Sequence, residues 1–132
     1  MQSPLPRTTR SIFLVAALSL CTLPSMALAQ TTSHLVVVKM VDKPNGQFGF
    51  EPNEVEAKRG DILRFTVGVG VHNVHFLPDS NAGIANLPAA SDMLQLPDQT
   101  FDVPVNFAEG TYYFQCDPHA ALGMTGHMKV ED

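Results

Sequence analysis

A thiol, an imidazole and a thioether stand within nine residues of one another: Cys116, His119 and Met124, spaced Cys-x₂-His-x₄-Met. A second imidazole, His72, lies far upstream in the apolar run Val71–Phe76, followed by Asn73 and Val74. Each element alone is unremarkable. A Cys-x₂-His pair is common, a Met at a strand start is more often core filler, and a His-Asn pair more often marks a turn. Taken together, two imidazoles, one thiolate and one thioether form a soft donor set suited to copper. For His72 to share an ion with the other three, the chain must fold so that two distant segments meet. That requirement constrains the architecture more than any other feature of the sequence.

The 132 residues do not all belong to one folding unit. Arg7 and Arg10 form a positive n-region, Ile12–Leu20 an apolar stretch, and Ala27-Leu28-Ala29 a small-residue cleavage site. Residues 1–29 therefore read as a secretory signal peptide, with an apolar run too short to span a bilayer. Leu18–Cys21 offers a rival reading as a lipoprotein box with Cys21 lipidated. The bulky Leu20 counts against it.

Residues 30–132 are enough for one compact domain. They hold six Lys and Arg against 13 Asp and Glu, a net charge of −7. Such an acidic domain without a basic cluster is not a nucleic-acid binder. The charge suits a basic partner, and equally it keeps an exported protein soluble. Of the two cysteines only Cys116 survives maturation, so the domain has no internal disulfide. A free thiol in an oxidising compartment is a liability that a bound metal removes.

The segments between turns are short and β-rich. Leu35–Val41 is a β-branched run that stops at Lys43-Pro44-Asn45-Gly46. Phe48–Ala57 alternates around Pro52-Asn53, and Ile62–Val67 follows the turn Arg59-Gly60-Asp61. Val71–Phe76, Thr100–Phe107, Thr111–Gln115 and Gly126–Val130 are further strand segments, with Pro104 marking an edge or bulge. The fold class expected is all-β, an antiparallel Greek-key sandwich. Residues 77–99, with Pro78, Gly83, Pro88 and Pro97, are the long crossover connection. Ser91 offers a cap for one short helix there, over Asp92–Leu96.

The chain resembles the cupredoxins, in their plastocyanin and pseudoazurin branch, from about Leu35 to Val130. The residues that carry the likeness are Phe50-x-Pro52, Gly60-Asp61, His72-Asn73-Val74, Gly110-Thr111-Tyr112, Cys116-x-Pro118-His119 and Gly123-Met124-x-Gly126. The resemblance implies one copper ion held by His72 and His119 through ring nitrogens, Cys116 through sulfur and Met124 axially. It implies that Asn73 ties the two ligand loops together and donates its N–H to the Cys116 sulfur. Pro118 has no N–H to give a second donor. It also implies that His119 is the exit for electrons, with Pro118, Ala120, Ala121 and Leu122 as an uncharged surface where redox partners dock transiently.

On this reading the chain is a monomeric, exported electron carrier, not an enzyme and not inserted in a membrane. Its compartment is the periplasm, or a thylakoid lumen reached by the same type of signal. Copper storage or delivery uses the same ligands and is the alternative. Five histidines are too few for a multicopper oxidase, and one mature cysteine too few for a binuclear site.

Gln115 stands where many plastocyanins carry Tyr, and the acids Asp79, Asp92, Asp98 and Asp102 are scattered, which departs from a tyrosine-and-acidic-patch docking mode. Asp117 reads as a solvated loop acid, and His34, His75 and His127 as ordinary surface histidines. Phe48, Phe50, Phe65, Phe76, Phe101, Phe107 and Phe114 read as core.

Overall fold

A computed structural model describes residues 32–132, so the readings of residues 1–29 and of Cys21 lie outside the described residues. The described strands are β1 (Leu35–Asp42), β2 (Phe48–Glu51), β3 (Glu54–Lys58), β4 (Ile62–Val67), β5 (Thr100–Pro104), β6 (Gly110–Gln115) and β7 (Thr125–Glu131). They form two sheets, one ordered β2-β1-β4-β5 and the other β3-β7-β6. The all-β sandwich expected from the sequence is present.

The pairing within it is mixed: β1 runs parallel to β4, and β3 parallel to β7. Alternation has the same period in parallel and antiparallel strands, so it carries no sign of this. Parallel neighbours need a long crossover. For β1 and β4 the chain supplies one in residues 43–61, which hold β2 and β3 and change sheets at Pro52-Asn53, after a cis Glu51–Pro52 peptide.

Alternation sets which side chains meet between the sheets. In β4, Leu63, Phe65 and Val67 are buried; in β3, Val55 and Ala57; in β7, Gly126, Met128 and Val130. Phe50 and Phe65 from one sheet meet Phe114 from the other. Their centroids lie 4.9–5.7 Å apart and their planes 72–84° apart, the edge-to-face arrangement that aromatic quadrupoles favour. Burying each ring contributes about 2–3 kcal/mol.

The Asn45-Gly46 turn closes the β1–β2 hairpin, with Lys43 N–H donating to Gln47 O at 2.7 Å. It sets Asp42 and Phe48 opposite each other at one end of the sheet. Pro104 ends β5 on the outer edge of its sheet, where a missing N–H costs no ladder bond.

Val71–Phe76 is not a regular strand. It makes two isolated bridges, His72 to Leu94 and His75 to Gln115, which tie it to the 77–99 connection and to β6. Residues 77–99 are irregular, as expected, but their one helical turn is a 3₁₀ turn at Pro78–Ser80, and Asp92–Leu96 is not helical. Leu94 is drawn into the bridge with His72, and the Ser91 hydroxyl accepts the Val74 N–H at 2.9 Å, so Ser91 caps nothing. Buried Asn81 fastens this connection to β6: its Oδ1 accepts the Tyr113 N–H, and its Nδ2 donates to Tyr113 O and Leu77 O. No helix among the described residues is long and apolar enough to cross a membrane.

Candidate metal centre

β6 ends at Gln115, and Cys116 is the next residue. A 3₁₀ segment, Asp117–Leu122, follows and carries His119; it ends at Gly123, whose φ of +89° is a left-handed conformation glycine adopts without strain. Met124 then leads into β7. Backbone bonds hold this loop in shape: Cys116 N–H to Met124 O, His119 N–H to Cys116 O and Met124 N–H to His119 O, each at 3.1 Å. His72 comes from the irregular segment after β4, fixed by its two backbone bonds to Leu94.

One ligand atom each from His72, Cys116 and His119 lies within 4.8 Å of the others. The Cys116 sulfur is 3.8 Å from His72 Nδ1 and 3.5 Å from His119 Nδ1. Cys116, His72 and Met124 are fully buried, while His119 is half-buried. Two imidazole nitrogens converging on one buried thiol, with a buried thioether on the same loop, is a donor set that fits copper. Among the described residues no other group of three such side chains converges.

Burial pushes the Cys116 thiol pKa up, and the Asn73 and His119 amides pull it back down in part. The sequence reading counted only the Asn73 amide; the His119 amide adds to it. His119 is held below the usual imidazole range, by burial first and by its nearness to the His72 imidazole second. An imidazole kept neutral keeps its lone pair for a metal.

Asn73 bridges the two loops. Its Oδ1 accepts the Asp117 N–H at 2.7 Å, and its Nδ2 donates to the Asp117 carboxylate at 2.8 Å. Asp117 is exposed, as expected of a loop acid, but it is hydrogen-bonded rather than free. Its carboxylate also accepts from Gln115 Nε2 at 2.8 Å and contacts His75 Nδ1 at 3.0 Å. Its pKa is lowered: although burial raises it, the bonds from Asn73, Gln115 and His75 outweigh that. His75 is not among the converging ligand atoms; it is half-buried against Asp117 and not an ordinary surface residue. His127 and His34 lie at the surface beside Glu54 and Asp61.

Phe48 was expected in the core. It is half-buried and packs against the core, and its ring also stacks on His119, with centroids 3.9 Å apart and planes 4° apart. The hairpin turn before it was the only sequence signal that could have placed it at this end.

The two-sheet sandwich with a buried His₂Cys cluster at one end defines a cupredoxin. A family model described as copper binding proteins, plastocyanin/azurin family, matches residues 36–131, and the chain belongs to that family, in its plastocyanin/pseudoazurin branch. Plastocyanin of Vicia faba is 36% identical over 92 residues, covering 65% of this chain and 91% of that protein. Chloroplastic plastocyanin of Pisum sativum is 32% identical over 105 residues, covering 75% of this chain and 61% of that protein. The solved structure of oxidised plastocyanin from Dryopteris crassirhizoma superposes with a TM-score of 0.60 at 33% identity, covering 73% of this chain and all of that one. The metal of this chain is copper.

Proposed function

We propose that this protein is an exported one-electron carrier, in which His72, Cys116 and His119 would hold the copper strongly and Met124 would be a weaker fourth ligand. The observation that carries the reading is the mutual approach of the three ligand atoms, within 4.8 Å, on backbone already fixed by hydrogen bonds. When bound there, copper supplies a Cu(II)/Cu(I) couple. The chain supplies a site whose donors need little rearrangement between the two states. Cys116 and His72 are sealed from water. Asn73 and Asp117 lock the loops that carry them, so the ligands keep their orientation.

His119 is the exposed edge of the cluster and the exit for electrons. Partners dock transiently around His119, Ala120, Ala121 and Leu122. The Leu122 side chain is 63% exposed and no charged side chain stands among Ala120, Ala121 and Leu122. Asn73 and Pro118 complete the site by setting the hydrogen bonds that reach the sulfur. The protein acts as a monomer, makes no chemical change in a substrate, and binds neither nucleic acid nor membrane. The signal-like residues 1–29 support export, to the periplasm or to a thylakoid lumen.

Copper storage or delivery is not favoured, because a fully buried thiol on a braced loop resists exchange. A redox-cycling experiment separates the two. Copper-loaded protein is reduced with ascorbate and reoxidised with ferricyanide over many cycles beside a Cu(I) chelator. An electron carrier keeps its metal through the cycles; a delivery protein surrenders it in the first reduction.

A further inference from the structure

His72 is fully buried, and its Nδ1 faces the Cys116 sulfur. Its other ring nitrogen, Nε2, lies 2.9 Å from Val69 O. It also lies 3.2 Å from a carboxylate oxygen of Asp42, the last residue of β1. That oxygen, Oδ1, is buried and has no hydrogen-bond partner of good geometry. The N–H is aimed at Val69 O, and the carboxylate lies beside it.

The approach is built into the backbone. Asp42 N–H donates to Val69 O at 3.1 Å, so one carbonyl binds both the ligand histidine and the strand that carries the acid. Gly70 follows, with φ of +102°, and a Cβ at that position would lie 2.5 Å from the Asp42 carboxylate. The φ favours glycine there, and a Cβ would require the carboxylate to shift from its place against the histidine. A buried carboxylate oxygen with no other partner, and a neighbouring residue without the Cβ that would expel it, are two independent observations.

We propose that Asp42 is a positioning residue for the buried copper ligand: its carboxylate sits against the Nε2–H of His72, polarises the imidazole and stabilises the more highly charged oxidation state of the centre. This rests on the reading of His72 as a ligand. A carboxylate against the far N–H of a ligating imidazole raises the basicity of the coordinating nitrogen and fixes the ring orientation. Negative charge next to the site favours Cu(II), so Asp42 lowers the reduction potential.

The test uses Asp42→Asn, which keeps the shape and removes the charge, beside Glu56→Gln, which removes one charge from the exposed face of β3. Two readouts are taken at neutral pH. The first is the Nε2-bound proton of His72 by NMR in the copper-free protein, which moves upfield in Asp42→Asn and stays in place in Glu56→Gln. The second is the reduction potential of the copper-loaded protein, which shifts upward in Asp42→Asn and by less in Glu56→Gln. If either readout fails to separate the two variants, the role of Asp42 is overturned. A wild-type protein that forms no blue copper site refutes the ligand reading instead, while the copper-free ring proton still reports on the Asp42 contact.

Discussion

The Phe48 ring lies flat on the His119 ring, 3.9 Å between centroids and 4° between planes, at the half-buried edge of the donor cluster. Phe48 opens β2 and His119 sits in the loop between β6 and β7, so the stack joins the two sheets at the end that carries the metal site. It also keeps water off one face of the imidazole. Burial is the first cause of the lowered His119 pKa. A group whose charged form is disfavoured protonates only below its ordinary value, about 6.5 for imidazole.

Phe48→Ala therefore raises the His119 pKa. A protonated His119 cannot donate its lone pair, and Cu(I) tolerates the loss better than Cu(II), so the reduction potential climbs as His119 protonates. In the wild type the potential stays flat through about pH 6.5 and climbs only in stronger acid. In Phe48→Ala the climb starts at higher pH. Voltammetry across the acid range checks this, and superimposable profiles contradict it.

Asn73→Ala removes the two side-chain bonds from Asn73 to Asp117 and leaves the Asp117 N–H without its acceptor. The expected loss of stability is about 1–3 kcal/mol. Chemical denaturation of the copper-free protein measures it without interference from the metal. A variant as stable as wild type shows that the loops are held by their own backbone bonds alone.

Asp61 is the acid whose loss tests the other end of the sandwich. It is buried, and its two carboxylate oxygens accept the backbone N–H groups of Lys58, at 2.8 Å, and His34, at 2.9 Å. Those two amides, Lys58 first, hold its pKa below the usual carboxylate range. A carboxylate depressed in the folded state contributes stability above its unfolded pKa of about 4, and that contribution is lost as pH falls through the folded value. Asp61→Asn should cost about 1–2 kcal/mol at neutral pH. The gap between the variant and wild type should close below about pH 4. Denaturation midpoints at several pH values measure the gap, and a gap independent of pH contradicts the assignment.

Pro118 is the second residue of the 3₁₀ segment that follows Cys116. Pro118→Ala introduces an amide N–H two residues along the chain from a cysteine whose sulfur already feels the amides of Asn73 and His119. A further donor withdraws electron density from the thiolate and favours Cu(I), so the reduction potential rises. An unchanged or lower potential counts against this account of the sulfur.

Much of the site was legible because its chemistry is local in sequence. Cys116, His119 and Met124 sit on one loop, and a soft donor set so spaced has few other uses. Asn73 followed from the likeness to cupredoxins. Phe48 was not legible, since alternation places its side chain on a face and says nothing of which loop covers that face. The contacts that Asp117 and His75 make are hidden from the sequence for a related reason. A loop acid reads as solvated until the fold brings Asn73, Gln115 and His75 to it. The two sheets were legible from short alternating strands, and the parallel β1–β4 and β3–β7 pairs were not, because the period of two is common to both pairings. Leu94 shows tertiary pairing overriding local propensity: the bridge to His72 takes the segment in which a helix was expected.

The central claim is that Cys116 binds copper as a thiolate together with His72 and His119. The direct measurement is the visible spectrum of the protein during titration with Cu(II), beside Cys116→Ser. The account predicts an intense blue thiolate-to-copper band that saturates at one equivalent, bleaches on reduction and is absent from the variant. A colourless wild-type protein, or a band that survives Cys116→Ser, contradicts it.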